Sequence, residues 1–119
     1  MKIVLVCDDS SISDHFRQAV GGQGHQVAAL RGDYPLENSG LPECDAVVVE
    51  EKTWTRHVSL YRYFEVLPEF NGVAFGVIGR RKPVRIKLRR RSADAWLATG
   101  FSPAEALEAV ASLGRAAAG

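Results

Sequence analysis

A chain of 119 residues predicts one domain over residues 1–119, long enough to bury most of its apolar surface without disulfides. Its composition, 46% hydrophobic and 24% charged, is that of an ordinary globular protein. No apolar run approaches the roughly 20 residues of a membrane span, and no basic stretch leads into a long apolar region, so a cytoplasmic chain without membrane contact is expected. The net charge of +1 conceals a polarity: Arg80, Arg81, Lys82, Arg85, Lys87, Arg89, Arg90 and Arg91 make up eight of the fifteen basic residues with no acid among them, leaving −7 on the rest.

Residues 2–7, KIVLVC, are apolar at consecutive positions after Lys2, the pattern of a strand covered on both faces in a parallel sheet. After Asp8 and Asp9, Ser11 or Ser13 is placed to cap a helix that carries Phe16, Ala19 and Val20 and that Gly21-Gly22 stops. HQVAAL, residues 25–30, reads as a second strand. The stretch 31–45, with two prolines and two glycines, leaves room for one helical turn. DAVVV, residues 45–49, is a third strand that runs into Glu50-Glu51.

Trp54, Val58, Tyr61, Phe64 and Leu67 recur at threes and fours, which predicts a helix over 53–67 closed by Pro68. Residues 73–78 are a fourth strand. Pro83 then precedes VRIKL, whose apolar and basic residues alternate as in a half-exposed strand; a short amphipathic helix is the alternative. ADAWLA, residues 93–98, is a further buried strand. SPAE, from Ser102 to Glu105, is a capping box with proline at the first helical position, and the helix it starts carries Ala106, Leu107, Val110 and Leu113 on one face. The tail GRAAAG is expected to fray.

Strands alternating with helices at this spacing give an α/β three-layer sandwich around a doubly wound, mainly parallel five-stranded sheet. Sites in such sheets lie outside the carboxyl ends of the strands, where Asp8, Asp9, Glu50 and Glu51 fall. Adjacent carboxylates repel unless a cation, a proton or solvent relieves them, so the acidic pair marks either a strand's exit into water or a charged site.

With that placement the chain resembles the response-regulator receiver domain, the phospho-accepting module of two-component signalling, over nearly its full length. VLVCDDS resembles the family's first strand and acidic pair, DAVVVE its third strand and acceptor position, and DAWLATGFSPAEALEAV its fifth strand and last helix. The resemblance implies a flavodoxin-like, receiver-like sheet in which the basic stretch stands at the family's fourth helix, and a basic strand replacing that helix is one option. It also implies five chemical parts: two acids that hold Mg²⁺, an acceptor carboxylate, a Thr or Ser ending the fourth strand, and a Lys ending the fifth.

Asp8 and Asp9 match the acidic pair. Glu50 stands at the acceptor position, VAFGVIG brings no hydroxyl, and Thr99-Gly100 stand at the Lys-Pro pair. A Glu reaches about 1.2–1.5 Å further than an Asp, and misplacement of that order costs roughly 100-fold in an in-line transfer. Without the Lys the transferring charge also lacks its stabiliser. The expectation is a degenerate receiver, or pseudo-receiver, with no enzymatic activity, working through protein contacts. Three carboxylates without the Lys should raise one carboxyl pKa or recruit a cation.

Each feature has a plainer alternative. Asp8 and Asp9 hold Mg²⁺ or are a solvated strand end in which Asp9 and Ser10 start the helix; no other cofactor is expected. Glu50 mimics a phosphorylated state or is a surface carboxylate. The basic run of residues 80–91 meets an acidic protein surface, a second copy in a homodimer included, or contacts nucleic-acid phosphates, or guards a sheet edge. Cys7, followed by a Ser-rich loop, raises a small phosphotransfer enzyme as a competing reading, which Asp8 and Asp9 disfavour by repelling phosphate. Cys7 and Cys44 are expected as reduced thiols, and His15, His25 and His57, sharing no ligand spacing, as plain surface or core residues.

Overall fold

Runs of consecutive apolar residues need cover on two sides, and here that requirement sets the layers. The computed structural model describes residues 1–57, 60, 64, 70, 72–80 and 92–119. In chain order these form β1 (Lys2–Val6), α1 (Ser10–Gly21), β2 (Gln26–Leu30), α2 (Leu36–Ser39), β3 (Ala46–Glu50), α3 (Glu51–Arg56), β4 (Ala74–Gly79), β5 (Ala95–Ala98) and α4 (Pro103–Ala118). The strands make one parallel sheet in the order β2-β1-β3-β4-β5. Among the described residues the expected doubly wound five-stranded sheet is thus present, and wholly parallel.

Alternate residues of each central strand feed opposite cores. Ile3 and Leu5 of β1, with Ala46 and Val48 of β3, pack against Phe16 and Val20 of α1 and Ala106, Val110 and Leu113 of α4. Val4, Val6, Val47 and Val49 face the other layer with Trp54, Leu60, Phe64, Phe70 and Phe75. In that layer Phe64 packs on Phe70 at 4.6 Å between ring centroids, and Phe70 meets Phe75 edge-on at 5.3 Å. Full burial of one such side chain is worth about 1.5–3 kcal/mol, so two continuous cores hold the sheet without any disulfide.

Several boundaries move for local reasons. Asp9, not Ser11 or Ser13, caps α1: its carboxylate accepts from the N–H groups of Ser11 and Ile12 at 2.9 and 3.3 Å. α3 begins at Glu51, two residues before the expected start, because Glu50 caps it, and it ends at Arg56, where His57 turns to extended backbone (φ −120°). Leu60 and Phe64 are again helical, and the rest of the helix expected over 53–67, with Pro68, lies outside the described residues. α4 has the expected capping box of Ser102 and Glu105, and its tail does not fray but stays helical to Ala118. The basic strand expected at 84–88, with every basic residue from 81 to 91, lies outside the described residues. Among the described residues no helix is long and apolar enough to cross a membrane.

Candidate functional site

Strand order reverses between β1 and β3, and that reversal opens a crevice at the carboxyl end of the sheet. A cavity of about 470 Å³ lies there, lined by Asp8, Asp9, Ile12, Glu50, Glu51, Lys52, Arg56, Arg80 and Thr99. The structure therefore brings Asp8, Asp9, Glu50, Thr99 and Arg80 to one place. Asp8 and Asp9 arrive as residues following β1, Glu50 as the last residue of β3, Arg80 just past β4 and Thr99 just past β5.

Asp8 is the more enclosed of the Asp pair, its side chain 10% exposed. One carboxylate oxygen, Oδ1, accepts from the Gly32 N–H at 2.8 Å. The other, Oδ2, lies 3.2 Å from the Arg56 guanidinium and 2.8 Å from His57 Nε2. A carboxylate only accepts, so the proton of that last bond resides on Nε2. Burial alone would push the Asp8 carboxyl up, but the Gly32 N–H, the His57 ring and the Arg56 guanidinium together hold it below the usual aspartate range. The expected rise of a carboxyl pKa is thus reversed at Asp8. The cation that its charge recruits comes from the chain itself.

Glu50 is not a surface carboxylate: it is 4% exposed. Its Oε1 accepts from the Thr53 N–H at 3.2 Å and the Thr53 hydroxyl at 2.9 Å, and its Oε2 from the Lys52 N–H at 2.6 Å. Those N–H groups are among the four that any helix leaves open at its start, so Glu50 caps α3. Thr53, 1% exposed, accepts in turn from the Asp8 N–H at 2.8 Å. Asp8 and Glu50 are therefore joined through one buried hydroxyl.

His57 is pressed onto the loop after β2. A Cβ on Gly32 would sit 2.6 Å from His57 Nε2 and 2.8 Å from the Thr53 methyl, so only glycine lets ring and backbone approach this closely. Thr99 lines the rim, its N–H bonded to the Gly79 carbonyl at 2.9 Å, and the next residue, Gly100, has φ +86°. Phe101, buried at 3%, stacks on His15 with 4.6 Å between ring centroids, and its carbonyl lies 2.7 Å from His15 Nε2, which donates to it.

Arg56, His57, Thr53, Gly32 and Lys52 were not among the residues that the sequence marked for the site. A spacing signal exists: 50, 53 and 56 or 57 share one face of a helix that starts at Glu51. Cys7 points elsewhere, into the core against α1, with its thiol donating to the Asp9 carbonyl at 3.4 Å. Burial pushes that thiol up, and the charges of Glu50 and Asp9 add to the rise against the hydrogen bonds with Ser13 and Asp9. Such a thiol is poorly disposed to act as a nucleophile.

Mg²⁺, which the resemblance implies at Asp8 and Asp9, asks for carboxylate oxygens free to enter an octahedral shell. Both oxygens of Asp8 and of Glu50 and one of Asp9 are already engaged by protein donors, and among the described residues no three His, Cys, Asp or Glu side chains converge as a ligand set. The residues present do not fit the ion.

Solved structures with the same architecture include a sensor protein from Polaromonas sp. JS666, with TM-score 0.76 and 18% identity over 98% of this chain and 95% of that one. The chemotaxis response regulator CheY4 of Vibrio cholerae gives TM-score 0.75 at 13% identity, covering 94% of this chain and 97% of that one. A response regulator receiver protein from Burkholderia phymatum gives 0.69 at 21%, covering 95% and 94%. No family model and no curated protein matches the sequence, so the likeness resides in the backbone. The fold is that of response-regulator receiver domains, as the sequence motifs led one to expect.

Proposed function

We propose that this chain is a receiver-like regulatory domain of two-component-type signalling that takes no phosphoryl group and acts through protein contacts. The supporting observation is the carboxylate of Glu50. It stands at the acceptor position by resemblance, yet both of its oxygens close the start of α3. An acceptor must offer an oxygen in line with phosphorus, and these are turned onto their own helix. Two further departures agree with this reading. β4 ends in Gly79 without a hydroxyl, and Gly100 has a positive φ that the family's proline, held near −65°, cannot adopt. The turn after β5 is therefore built differently, and Thr99 replaces the Lys whose charge the transfer would use.

The contact surface in this reading is the basic segment of residues 80–91 together with α4, and the partner presents negative charge; a second copy, acidic outside that segment, has the right sign. The test is incubation of the full chain with acetyl phosphate and Mg²⁺ followed by intact-mass measurement. An unchanged mass is expected. A phosphoryl adduct on any carboxylate overturns the proposal.

A further inference from the structure

We infer that the Arg56 guanidinium and the His57 ring occupy, from within the chain, the place of a divalent cation, so that the acid cluster is self-neutralised and closed to Mg²⁺. The inference deepens the reading above at the same site and rests on it for treating Asp8, Asp9 and Glu50 as the counterpart of a metal-binding cluster. Three observations support it. The arginine is charged at every ordinary pH, and its guanidinium lies 3.2 Å from Asp8 Oδ2, where it meets the charge a metal would meet. The His57 ring fills the space beside that oxygen, packed so tightly on Gly32 that a Cβ there would clash with it. The remaining oxygen of Asp8 accepts from the Gly32 N–H.

The other two acids are engaged as well, Glu50 through both oxygens and Asp9 through one. Glu50 gives Oε1 and Oε2 to the N–H groups of Thr53 and Lys52, and Asp9 gives Oδ1 to those of Ser11 and Ile12. Recruiting Glu50 to a metal would uncap α3, and recruiting Oδ1 of Asp9 would uncap α1. Lys52 and Arg80 also line the cavity beside Arg56, so an approaching dication meets three positive side chains as well as the acids. Entry at Asp8 breaks an ion pair, and entry at Glu50 removes the cap of α3.

The test is a titration of Mg²⁺ into the ¹⁵N-labelled full chain, following the amide signals of Asp8, Gly32 and Ser11, with Mn²⁺ broadening as a second readout. It compares the native sequence with the variant R56Q/H57Q. No saturable change is expected in the native chain up to about 10 mM Mg²⁺, whereas the variant, with Asp8 Oδ2 released, binds at least about tenfold more tightly. Where the double variant does not fold, R56Q alone makes the comparison, since that side chain is 63% exposed and outside both cores. Saturation of the native chain below about 1 mM overturns the inference, because a metal site then exists. Binding by neither chain overturns it too, because the pair is then not what keeps the ion out. Neither outcome touches the acetyl phosphate result, which reads the acceptor and not the cation.

Discussion

His57 Nε2 lies 2.8 Å from Asp8 Oδ2, and through this contact the residue after α3 is tied to the loop after β1. The Gly32 N–H holds the opposite oxygen of the same carboxylate at 2.8 Å, which brings in the loop after β2. One largely enclosed aspartate thus fastens three segments at the carboxyl end of the sheet. In a chain that bound a metal here, the ion would do that fastening.

The tight approach of ring and backbone makes Gly32 sensitive. Gly32→Ala is expected to force the His57 ring and the Thr53 methyl outward at a cost of about 2 kcal/mol, in the usual range for overpacking. Urea unfolding followed by the fluorescence of Trp54 and Trp96 reads it. A midpoint equal to that of the native chain would mean that the ring moves aside freely and the fastening is loose.

Thr53 gives a second handle, because its hydroxyl both accepts from the Asp8 N–H and donates to Glu50. Thr53→Val keeps the shape, leaves the Asp8 N–H without its acceptor and takes from Glu50 Oε1 one of its two donors, an expected loss of about 1–3 kcal/mol. Thr53→Ser keeps the hydroxyl and should lose less than half as much. Equal losses in the two variants would show that the methyl matters as much as the hydroxyl at 53.

For Glu50, removal of the cap by Glu50→Ala is expected to cost about 1 kcal/mol, as for other helix caps. Glu50→Asp restores the side-chain length of the family's acceptor. It is nonetheless expected to give no adduct with acetyl phosphate by intact mass, since on the proposed reading Thr99 takes the place of the Lys and the pair of Arg56 and His57 keeps the ion out. An adduct on the Glu50→Asp variant would show that length alone had disabled the site.

Much of the fold was legible because both-face burial and capping are local signals. KIVLVC and DAVVV read as covered strands, and SPAE as a helix start, directly from residue type and spacing. The convergence of Asp8, Asp9 and Glu50 followed from the parallel topology, since acids at the carboxyl ends of adjacent strands must meet. What could not be read was how their charge is settled. Arg56 and His57 look like ordinary surface residues in sequence, and their distance from Asp8 depends on where α3 begins. Glu is an uncommon cap, so residue types alone start that helix two residues late and hide the turn that points 53, 56 and 57 at Asp8. Gly32 was hidden for a related reason: a glycine in a loop announces a turn, whereas this one is needed for closeness to the ring of His57, far along the chain.

The protein-contact reading also fixes an expectation for the basic segment. In a gel-shift series with duplex DNA, no retention is expected at about 0.15 M salt, and R89A/R90A/R91A should leave the result unchanged. Retention that falls steeply with salt and disappears in the triple variant would assign residues 80–91 to phosphate contacts instead.

The central claim is that the acid cluster is neutralised from within, and the carboxyl of Asp8 reports on it most directly. Burial opposes its ionisation, but the Gly32 N–H, the His57 ring and the Arg56 guanidinium prevail, so the folded value lies below the ordinary one. A group depressed in this way stabilises the fold above its unfolded pKa of about 3.9 and loses that contribution as pH falls through the folded value. Asp8→Asn should therefore cost most at neutral pH and converge with the native chain in acid. The measurement is a ¹³C NMR titration of the Asp8 carboxyl carbon in the metal-free full chain. A midpoint below about 3.9 is the expected result, and one at or above that value would contradict the account, since the Gly32 N–H, the His57 ring and the Arg56 guanidinium would then not outweigh burial.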